Sequence, residues 1–357
     1  MNKKFLRALY IVLGVLGVVL VGLGVWIGPQ IAQAVAGTGS TTVAQASPTA
    51  VAMVPSGTAA PSATAGPTNT PAPNAVCGGP GQMYILAVGT DYRGTDYAYG
   101  LADVIRVARV DFVHPGVSAI AFPRDMWVQI PGISDHYGIT QGKINQAYFW
   151  GSPSMGYYNG PNGGAGLLAD TLKANFDLPT DHFAVVDMNA FPQIIDAVGG
   201  VDIVLAQPVD GSPINPGAED LGQYPAGKNH LDGKTALKFV RIRQRYSDLQ
   251  RIDNQSLVLK ALLEKLRSPS IILEAPRLYS ILKDSVLTDL GLPEVTQLAC
   301  LMTKVGSSDL RFVDLPQSAL HAQSTYSASL GGDTYTLQWD AQPVRDFVSA
   351  FKAGSLP

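Results

Sequence analysis

Arginine is concentrated in one segment of this chain. Residues 239–255 read FVRIRQRYSDLQRIDNQ and contain four arginines, although only 15% of the whole sequence is charged. If RIRQR is extended, its three arginines point to one side, because side chains alternate along a strand. They repel one another unless an anion lies among them. That anion is either an internal carboxylate, such as Asp248 or Asp253, or a phosphate or pyrophosphate, whose oxygens match the forked guanidinium group.

Other polar residues stand where apolar segments begin or end. Asp91 follows ILAVGT, and Asp103 begins DVIRVARVDF. Arg124 and Asp125 end VSAIAFPRD, and Lys143 precedes the apolar start of a helix. Each of these residues alone has an ordinary explanation as a cap, an ion pair or a solvated lysine. Their significance depends on whether the fold brings them together.

The elements that must position these residues alternate in type. Largely apolar runs predict strands at 83–91, 103–112, 117–125, 182–188 and 201–205. Helical patterns cover 163–176, 189–200, 253–267 with Asp253 as its N-cap, and 293–305. Strands and helices mixed in one region predict an α/β fold, in which helices sandwich a mixed central sheet in an α-β-α arrangement.

The N-terminus predicts a membrane anchor. Lys3, Lys4 and Arg7 precede an apolar run at 8–27, and no further charge appears before Asp91. Twenty helical residues span about 30 Å, the thickness of the hydrocarbon core. We therefore expect residues 1–7 in the cytoplasm, a single transmembrane helix at 8–28 and the rest of the chain outside. A cleaved signal peptide is the alternative, but its apolar region usually has only about 7 to 15 residues.

Between the anchor and the folded part, residues 29–81 are rich in Ser, Thr, Pro, Ala and Gly. This composition predicts a flexible extracytoplasmic stalk, because the segment cannot bury enough apolar surface to become ordered. Residues 82–357 are then one extracytoplasmic domain. The two cysteines, Cys77 and Cys300, form a disulfide or remain free thiols; the sequence leaves both possibilities open.

The charge balance excludes one class of partner. The chain has 25 basic and 28 acidic residues, for a net charge of −3. No global positive field attracts nucleic acid, and no basic DNA-binding helix is present in the sequence. The arginines must therefore act locally.

The order of the motifs resembles a known family. GTDYR, PRD, KIN, IIDAVGGVDI, LDGKTALKFVRIR and SDLQRIDNQ follow one another as in the LytR-CpsA-Psr family of bacterial cell-envelope proteins, and the resemblance runs from about residue 83 to 352. It implies a phosphotransferase that moves a glycan from a polyprenyl pyrophosphate carrier to peptidoglycan. A divalent ion, Mg²⁺ or Mn²⁺, is expected at the pyrophosphate.

The resemblance also implies roles for individual residues. Asp91 and Asp103 match the aspartates that hold the metal, and with Arg241 and Arg243 they form the expected catalytic set. The residues expected to bind the pyrophosphate are Arg93, Arg124, Lys143, Arg241, Arg243, Arg251 and Gln255.

Two positions depart from the family pattern. Leu101 stands where the family usually has an arginine two residues before the second metal aspartate, and Asn254 stands where many members have an arginine. Arg93 or Arg106 could supply the missing charge; otherwise the chemistry is slower, the carrier differs or the protein binds without turnover. The alternatives to transfer are therefore a polyprenyl pyrophosphate hydrolase and a noncatalytic envelope-binding or regulatory protein.

Overall fold

The computed structural model describes residues 71–92, 99–242, 248–266 and 286–356. The predicted cytoplasmic N-terminus, the transmembrane helix and most of the predicted stalk lie outside these residues. Within the described ranges, no helix combines the length and the apolar character needed to cross a membrane.

The described residues form fourteen strands and seven α-helices. The strands are β1 Gln82–Thr90, β2 Ala102–Asp111, β3 Gly116–Ala121, β4 Trp127–Gln129, β5 Gln141–Lys143, β6 His182–Val186, β7 Val201–Leu205, β8 Val209–Asp210, β9 Gln223–Tyr224, β10 Gly227–Leu231, β11 Val286–Thr288, β12 Leu310–Asp314, β13 Leu320–Ser327 and β14 Gly332–Trp339. The helices are α1 Ile144–Gly151, α2 Gly163–Phe176, α3 Ala190–Ala197, α4 Gly233–Phe239, α5 Asp248–Leu266, α6 Leu292–Met302 and α7 Ala341–Ala353.

Six strands form the central sheet, in the order β11-β6-β1-β2-β3-β12. β1 is parallel to β6 and antiparallel to β2, while β3 is antiparallel to β2 and parallel to β12. The sheet is therefore mixed, which confirms that part of the predicted fold. The other strands form four two-stranded ribbons, which are β4-β5, β7-β10, β8-β9 and β13-β14.

Helices cover both faces of the sheet, as the sequence predicted. Every residue of β2 is buried, as expected for a central strand with a layer on each side. Successive residues of β1 alternate between two apolar clusters: Ile85 packs with residues of α3, α4, α5 and α6, and Leu86 packs with residues of α1, α2 and α7. This alternation follows from the two-residue period of a strand.

Some element boundaries differ from the prediction. The predicted strand at 117–125 ends at Ala121, because Pro123 follows closely and has no N–H group for the sheet. α5 begins at Asp248, so Asp253 lies inside the helix and the prediction that it is the N-cap was wrong. Arg241 lies in a turn after α4, where its N–H group donates to the carbonyl of Lys238, and not in an extended strand.

A disulfide joins the start of the described chain to the domain. Cys77 and Cys300 are bonded across a sequence separation of 223 residues. Beside Cys77, the N–H group of Val76 donates to the carbonyl of Phe112 at 2.8 Å. Of the two possibilities for the cysteines, the structure shows the bridge.

Candidate functional site

The strand directions bring several of the predicted site residues to one edge of the sheet. β1 ends at Thr90 and β3 ends at Ala121, while β2, which is antiparallel to both, begins at Ala102. Asp91, Asp103 and Arg124 therefore lie at the same edge, which we call the site edge.

A bulge sets the position of Asp103. Gly89 pairs with Val104 and Thr90 pairs with Ala102, so Asp103 is an extra residue on β2 with no partner in the register. Bulges of this kind are frequent beside active sites, where they redirect a side chain.

Backbone groups of Leu101 hold Asp91 in place. The N–H group of Leu101 donates to Oδ1 of Asp91 at 2.7 Å, and the N–H group of Asp91 donates to the carbonyl of Leu101 at 3.1 Å. Gly100 before it has φ of +139°, and a Cβ there would lie 2.2 Å from Oγ1 of Thr90. The turn that positions Asp91 therefore requires glycine at this point.

Asp103 is a buried carboxylate, and only one of its two oxygens accepts a hydrogen bond from the described residues. Its residue is 2% exposed, and Nη1 of Arg124 donates to Oδ1 at 2.8 Å. Oδ2 is also buried, and no described residue forms a hydrogen bond with it. Burial raises the pKa of Asp103 to about 7, although Arg124 and Arg251 act to lower it; Asp91 raises it further. Asp91, Arg124 and Arg251 thus lie close enough to act electrostatically on this carboxylate.

Arg124 begins a chain of alternating charges. Its Nε lies 3.4 Å from Oδ2 of Asp125, and Nζ of Lys143 donates to Oδ1 of Asp125 at 2.8 Å. Lys143 is fixed in turn because its N–H group donates to Oε1 of Gln146 at the start of α1. The structure therefore brings Asp103, Arg124 and Lys143 together through Asp125, which the predicted site set had left out.

α5 contributes buried polar side chains. Arg251, Asn254 and Gln255 are 1%, 1% and 2% exposed. Within the described residues, the amide atoms of Asn254 and Nε2 of Gln255 form no hydrogen bond. Such a group costs about 1–3 kcal/mol when it is left unsatisfied, and a bound water, ion or ligand that meets it removes this cost.

Arg241 has an internal acid as its partner. Its Nη1 and Nη2 donate to Oε1 and Oε2 of Glu219 at 3.2 and 2.7 Å. Arg241 is buried, but the side chain of Glu219 is 50% exposed. Of the two expected partners, Asp248 has a side chain outside the described part of the structure. Among the described side chains the observed partner is Glu219, which lies in the loop between β8 and β9. No sequence signal pointed to it.

Arg106 is used elsewhere in the fold. It is fully buried, and its Nη2 donates to the carbonyl of Ile252 at 3.2 Å and to Oγ of Ser256 at 2.8 Å. Burial lowers its pKa to about 10, against the opposing charges of Asp314 and Asp253. Arg106 therefore connects α5 to the sheet.

Arg93 and Arg243, the other predicted arginines, lie outside the described residues, so their roles stay predictions.

The donor set fits a magnesium ion. Asp103 has a buried oxygen that no described residue bonds, and the charge of Asp91 reaches it. Within the described ranges, no three His, Cys, Asp or Glu side chains form a metal-binding group. Two carboxylates are nevertheless enough for Mg²⁺, which usually keeps several waters and takes phosphate oxygens as further ligands.

Comparison with known proteins gives related sequences. The polyisoprenyl-teichoic acid–peptidoglycan teichoic acid transferase TagU of Oceanobacillus iheyensis is 33% identical over 216 residues, which are 60% of this chain and 61% of that protein. The regulatory protein MsrR of Staphylococcus aureus is 26% identical over 241 residues, 66% of this chain and 65% of that protein. The chain therefore spans less than two thirds of the length of these curated relatives.

A solved structure shares the fold. The crystal structure of TagV from B. subtilis has a TM-score of 0.59 and 22% identity, with 77% of this chain and 98% of that one covered. In addition, the model of the LytR_cpsA_psr family matches residues 57–341. Because this match covers most of the sequence, the chain belongs to the LytR-CpsA-Psr family.

Proposed function

We propose that this protein is a membrane-anchored phosphotransferase, which moves a glycan from a polyprenyl pyrophosphate carrier to peptidoglycan outside the cell. One observation carries the proposal: Asp103 is buried at the site edge, is held through Oδ1 by Arg124, and has a second oxygen that no described residue bonds. A half-used carboxylate beside several cations suits a metal-bound, doubly charged phosphate group.

Asp91 and Asp103 would hold the Mg²⁺. When bound, the ion would neutralise charge on the pyrophosphate oxygens and so favour attack at phosphorus. Arg124 fixes one oxygen of Asp103, and Asp125 with Lys143 fixes Arg124. The carboxylate is thus positioned before the substrate binds, which is the main contribution that a protein makes to phosphoryl transfer.

Arginines complete the site in this proposal. Arg251 is buried on α5 and its charge acts on Asp103, so a pyrophosphate beside Asp103 would meet a guanidinium group there. Gln255, one helical turn further on, has an Nε2 donor that no described residue accepts. Both side chains are suited to phosphate oxygens.

The reaction would exchange one P–O bond for another. A hydroxyl oxygen of the acceptor attacks the phosphorus that carries the glycan, and the bond to the carrier phosphate breaks. The carrier leaves as polyprenyl phosphate, and the hydroxyl proton passes to a base. We assign activation of the acceptor mainly to orientation and the metal, with assistance from a carboxylate.

A transfer assay tests the proposal. The full-length protein in detergent is incubated with a labelled lipid-linked glycan, Mg²⁺ and peptidoglycan fragments. Labelled glycan on the fragments supports transfer.

Arg251→Ala should lower the rate of transfer by about tenfold to a hundredfold, because one charge-assisted contact contributes about 1.5–3 kcal/mol. Lys260→Ala, an exposed lysine on the same helix, is the matched control and should leave the rate unchanged.

Two rival functions give different products in the same assay. Free glycan phosphate would indicate a hydrolase. Lipid that is bound and protected without any product would indicate a noncatalytic binding protein. The bonding of Arg241 to Glu219 and the leucine at position 101 favour that second rival, since both reduce the positive charge offered to a ligand; the name of MsrR as a regulatory protein agrees with it. Either result would overturn the proposed transfer.

A further inference from the structure

A cavity lies between the β4-β5 ribbon and the β13-β14 ribbon. Its volume is about 380 Å³, within the range of small-molecule sites. Six of the side chains that line it are two tryptophans and four glutamines: Trp127, Trp339, Gln129, Gln141, Gln323 and Gln338. We call it the amide cavity.

The lining of the amide cavity contains no charged side chain. Asn175 and Val128 complete it. Indole rings offer large apolar surfaces with one N–H donor, and carboxamides both donate and accept hydrogen bonds. A pyranose ring has the complementary chemistry, because one face consists of C–H groups and the rim carries hydroxyls that donate and accept.

Hydrogen bonds and ring packing connect the residues that form the wall of the cavity. Nε1 of Trp339 donates to the carbonyl of Trp127 at 2.9 Å, and the ring of Trp339 packs against Phe176 at 4.8 Å between centroids. Asn175 uses its side-chain amide to bond the backbone of Gln129 at both N–H and carbonyl, at 3.0 and 2.8 Å. A wall that is fixed before binding reduces the entropy lost when a ligand is ordered.

Polar atoms in the cavity remain available to a ligand. Gln129, Gln141 and Gln323 are exposed. Nε1 of Trp127 donates to Oε1 of Gln141 at 3.0 Å. This bond does not use the amide N–H₂ group of Gln141, which can donate to a ligand. Trp127 itself is only partly buried, so part of its ring surface can receive a sugar.

The strand β4, which lines the cavity, closely follows Arg124 and Asp125 in the sequence. Trp127 stands two residues after Asp125, which lies in a turn closed by a hydrogen bond from the N–H group of Met126 to the carbonyl of Pro123. Trp127 pairs with Lys143, and Gln129 pairs with Gln141, in the β4-β5 ribbon. Lys143 binds Asp125. The ribbon that lines the amide cavity therefore also carries Lys143, which bonds a charged residue of the site edge.

From this geometry we propose that the amide cavity binds an uncharged pyranose segment of a glycan. The inference rests on the proposed function, to which it adds a sugar subsite. The lipid tail of the carrier is excluded as the occupant, because it would bury the glutamine amides without hydrogen bonds. The segment belongs either to the acceptor strand or to the glycan of the donor, and both have the same ring chemistry.

Direct binding tests the inference without the reaction. The full-length protein in detergent is titrated with chitotetraose, an uncharged chain of N-acetylglucosamine, by isothermal calorimetry. We expect saturable binding, weakened at least tenfold by Trp127→Ala and severalfold by Gln141→Ala. Gln141 is exposed, so its variant is expected to fold even if the tryptophan variant does not. Tyr326→Ala removes an exposed ring from β13 outside the cavity and should leave the affinity unchanged.

Transfer kinetics identify the source of the segment. In Trp127→Ala or Gln141→Ala, a raised KM for the peptidoglycan fragments alone assigns the cavity to the acceptor, and a raised KM for the lipid-linked glycan alone assigns it to the donor. Either result supports the sugar subsite. If chitotetraose does not bind saturably, or binds equally to wild type and both variants, the inference is overturned. If it binds in a Trp127-dependent way while no glycan is transferred, the proposed function fails and the sugar subsite stands.

Discussion

The two ends of the central sheet each carry a buried arginine–aspartate pair, and the two pairs are bonded differently. Where β2 ends, Nη2 of Arg109 binds Oδ2 of Asp111 at 2.8 Å. Oδ1 of Asp111 accepts from the N–H groups of Val113 and His114. Nε of Arg109 donates to the carbonyl of Lys352 near the end of α7. Both oxygens of Asp111 are therefore used within the chain, and we call this the closed end.

At the site edge, the ion pair has the same length as the pair between Arg109 and Asp111, but one oxygen of its aspartate forms no hydrogen bond with the described residues. Arg124 binds Asp103 at 2.8 Å, yet Oδ2 of Asp103 has no bond from the described residues and burial raises the pKa of this carboxyl to about 7. A buried ion pair alone does not identify a functional site, because structural pairs are common. What distinguishes the site edge from the closed end is the buried carboxylate oxygen of Asp103, which forms no hydrogen bond with the described residues.

A cavity of about 490 Å³, larger than the amide cavity, lies at the closed end and is lined by Arg109, Asp111 and Arg311. Nη1 of Arg311 donates to the carbonyl of Leu356 at 3.1 Å, so this arginine also serves the C-terminal segment. The two arginines and the aspartate that line the larger cavity therefore form their bonds within the chain.

Asp103→Asn tests the site edge and has the largest expected effect. The substitution removes the charge that a divalent ion requires but keeps the shape of the side chain. We expect the transfer rate to fall by about 10²–10³, the loss typical of one key electrostatic group. The free energy of unfolding should change little, because the raised pKa shows that burial already penalises the charged form of Asp103, and Asp125 still faces Arg124 after the substitution.

The rate is measured with saturating lipid-linked glycan and peptidoglycan fragments, and stability by urea denaturation of the same preparation. A rate close to that of wild type would contradict the assignment of Asp103. A large loss of stability would mean that its role is structural, like that expected of Asp111.

Removal of the disulfide is expected to have the next largest effect. The bridge between Cys77 and Cys300 closes a long loop with a sequence separation of 223, and Val76 beside it bonds Phe112, just past the closed end of β2. The double variant Cys77→Ser, Cys300→Ser should lose about 2–4 kcal/mol of unfolding free energy. Its transfer rate at low temperature should match wild type, because the bridge is remote from the site edge.

Reductant provides the control for the disulfide. Treatment of wild type with a reducing agent should lower its denaturation midpoint to that of the double variant, and should leave the variant unchanged. If the variant denatures like untreated wild type, the bridge does not stabilise the domain.

Asp111→Asn is the matched counterpart of Asp103→Asn. It weakens the bonds to Arg109 and to two backbone N–H groups, so we expect the free energy of unfolding to fall by about 1.5–3 kcal/mol. The transfer rate at a temperature where the protein is folded should not change. A rate loss as large as that of Asp103→Asn would remove the distinction between the two ends of the sheet.

The sequence predicted the layers of the fold better than the partners of its arginines. The helix at 163–176 and the strand at 201–205 have the predicted bounds, because their apolar patterns are set by local periodicity. The site edge was also foreseeable in part: Asp103, Arg124 and Lys143 each stand at the boundary of an element, and the fold brings them together.

Contacts that depend on long loops were not foreseeable. Glu219 lies 22 positions before Arg241, in a loop whose sequence has no periodicity. The bulge at Asp103 is a further example, since the shift in pairing between Gly89 and Thr90 follows from how two strands meet, and a single strand does not encode it. Arg106 and Arg124 are both arginines near strands, yet burial under α5 gives Arg106 a structural role.

The smallest effect is expected from Glu219→Gln, which examines whether Arg241 belongs with the site edge. Glu219 binds both terminal nitrogens of Arg241, so an anionic ligand must displace a carboxylate before it can use this guanidinium. With a neutral amide the competition weakens, and inorganic pyrophosphate with Mg²⁺ should bind about three- to tenfold more tightly by calorimetry, a gain of about 1 kcal/mol. Glu264→Gln, an exposed acid on α5, makes the same change in net charge and should leave the affinity unchanged. Equal tightening in both variants would make the effect one of net charge, and weaker binding in Glu219→Gln would mean that the pair with Arg241 supports the site instead of competing for it.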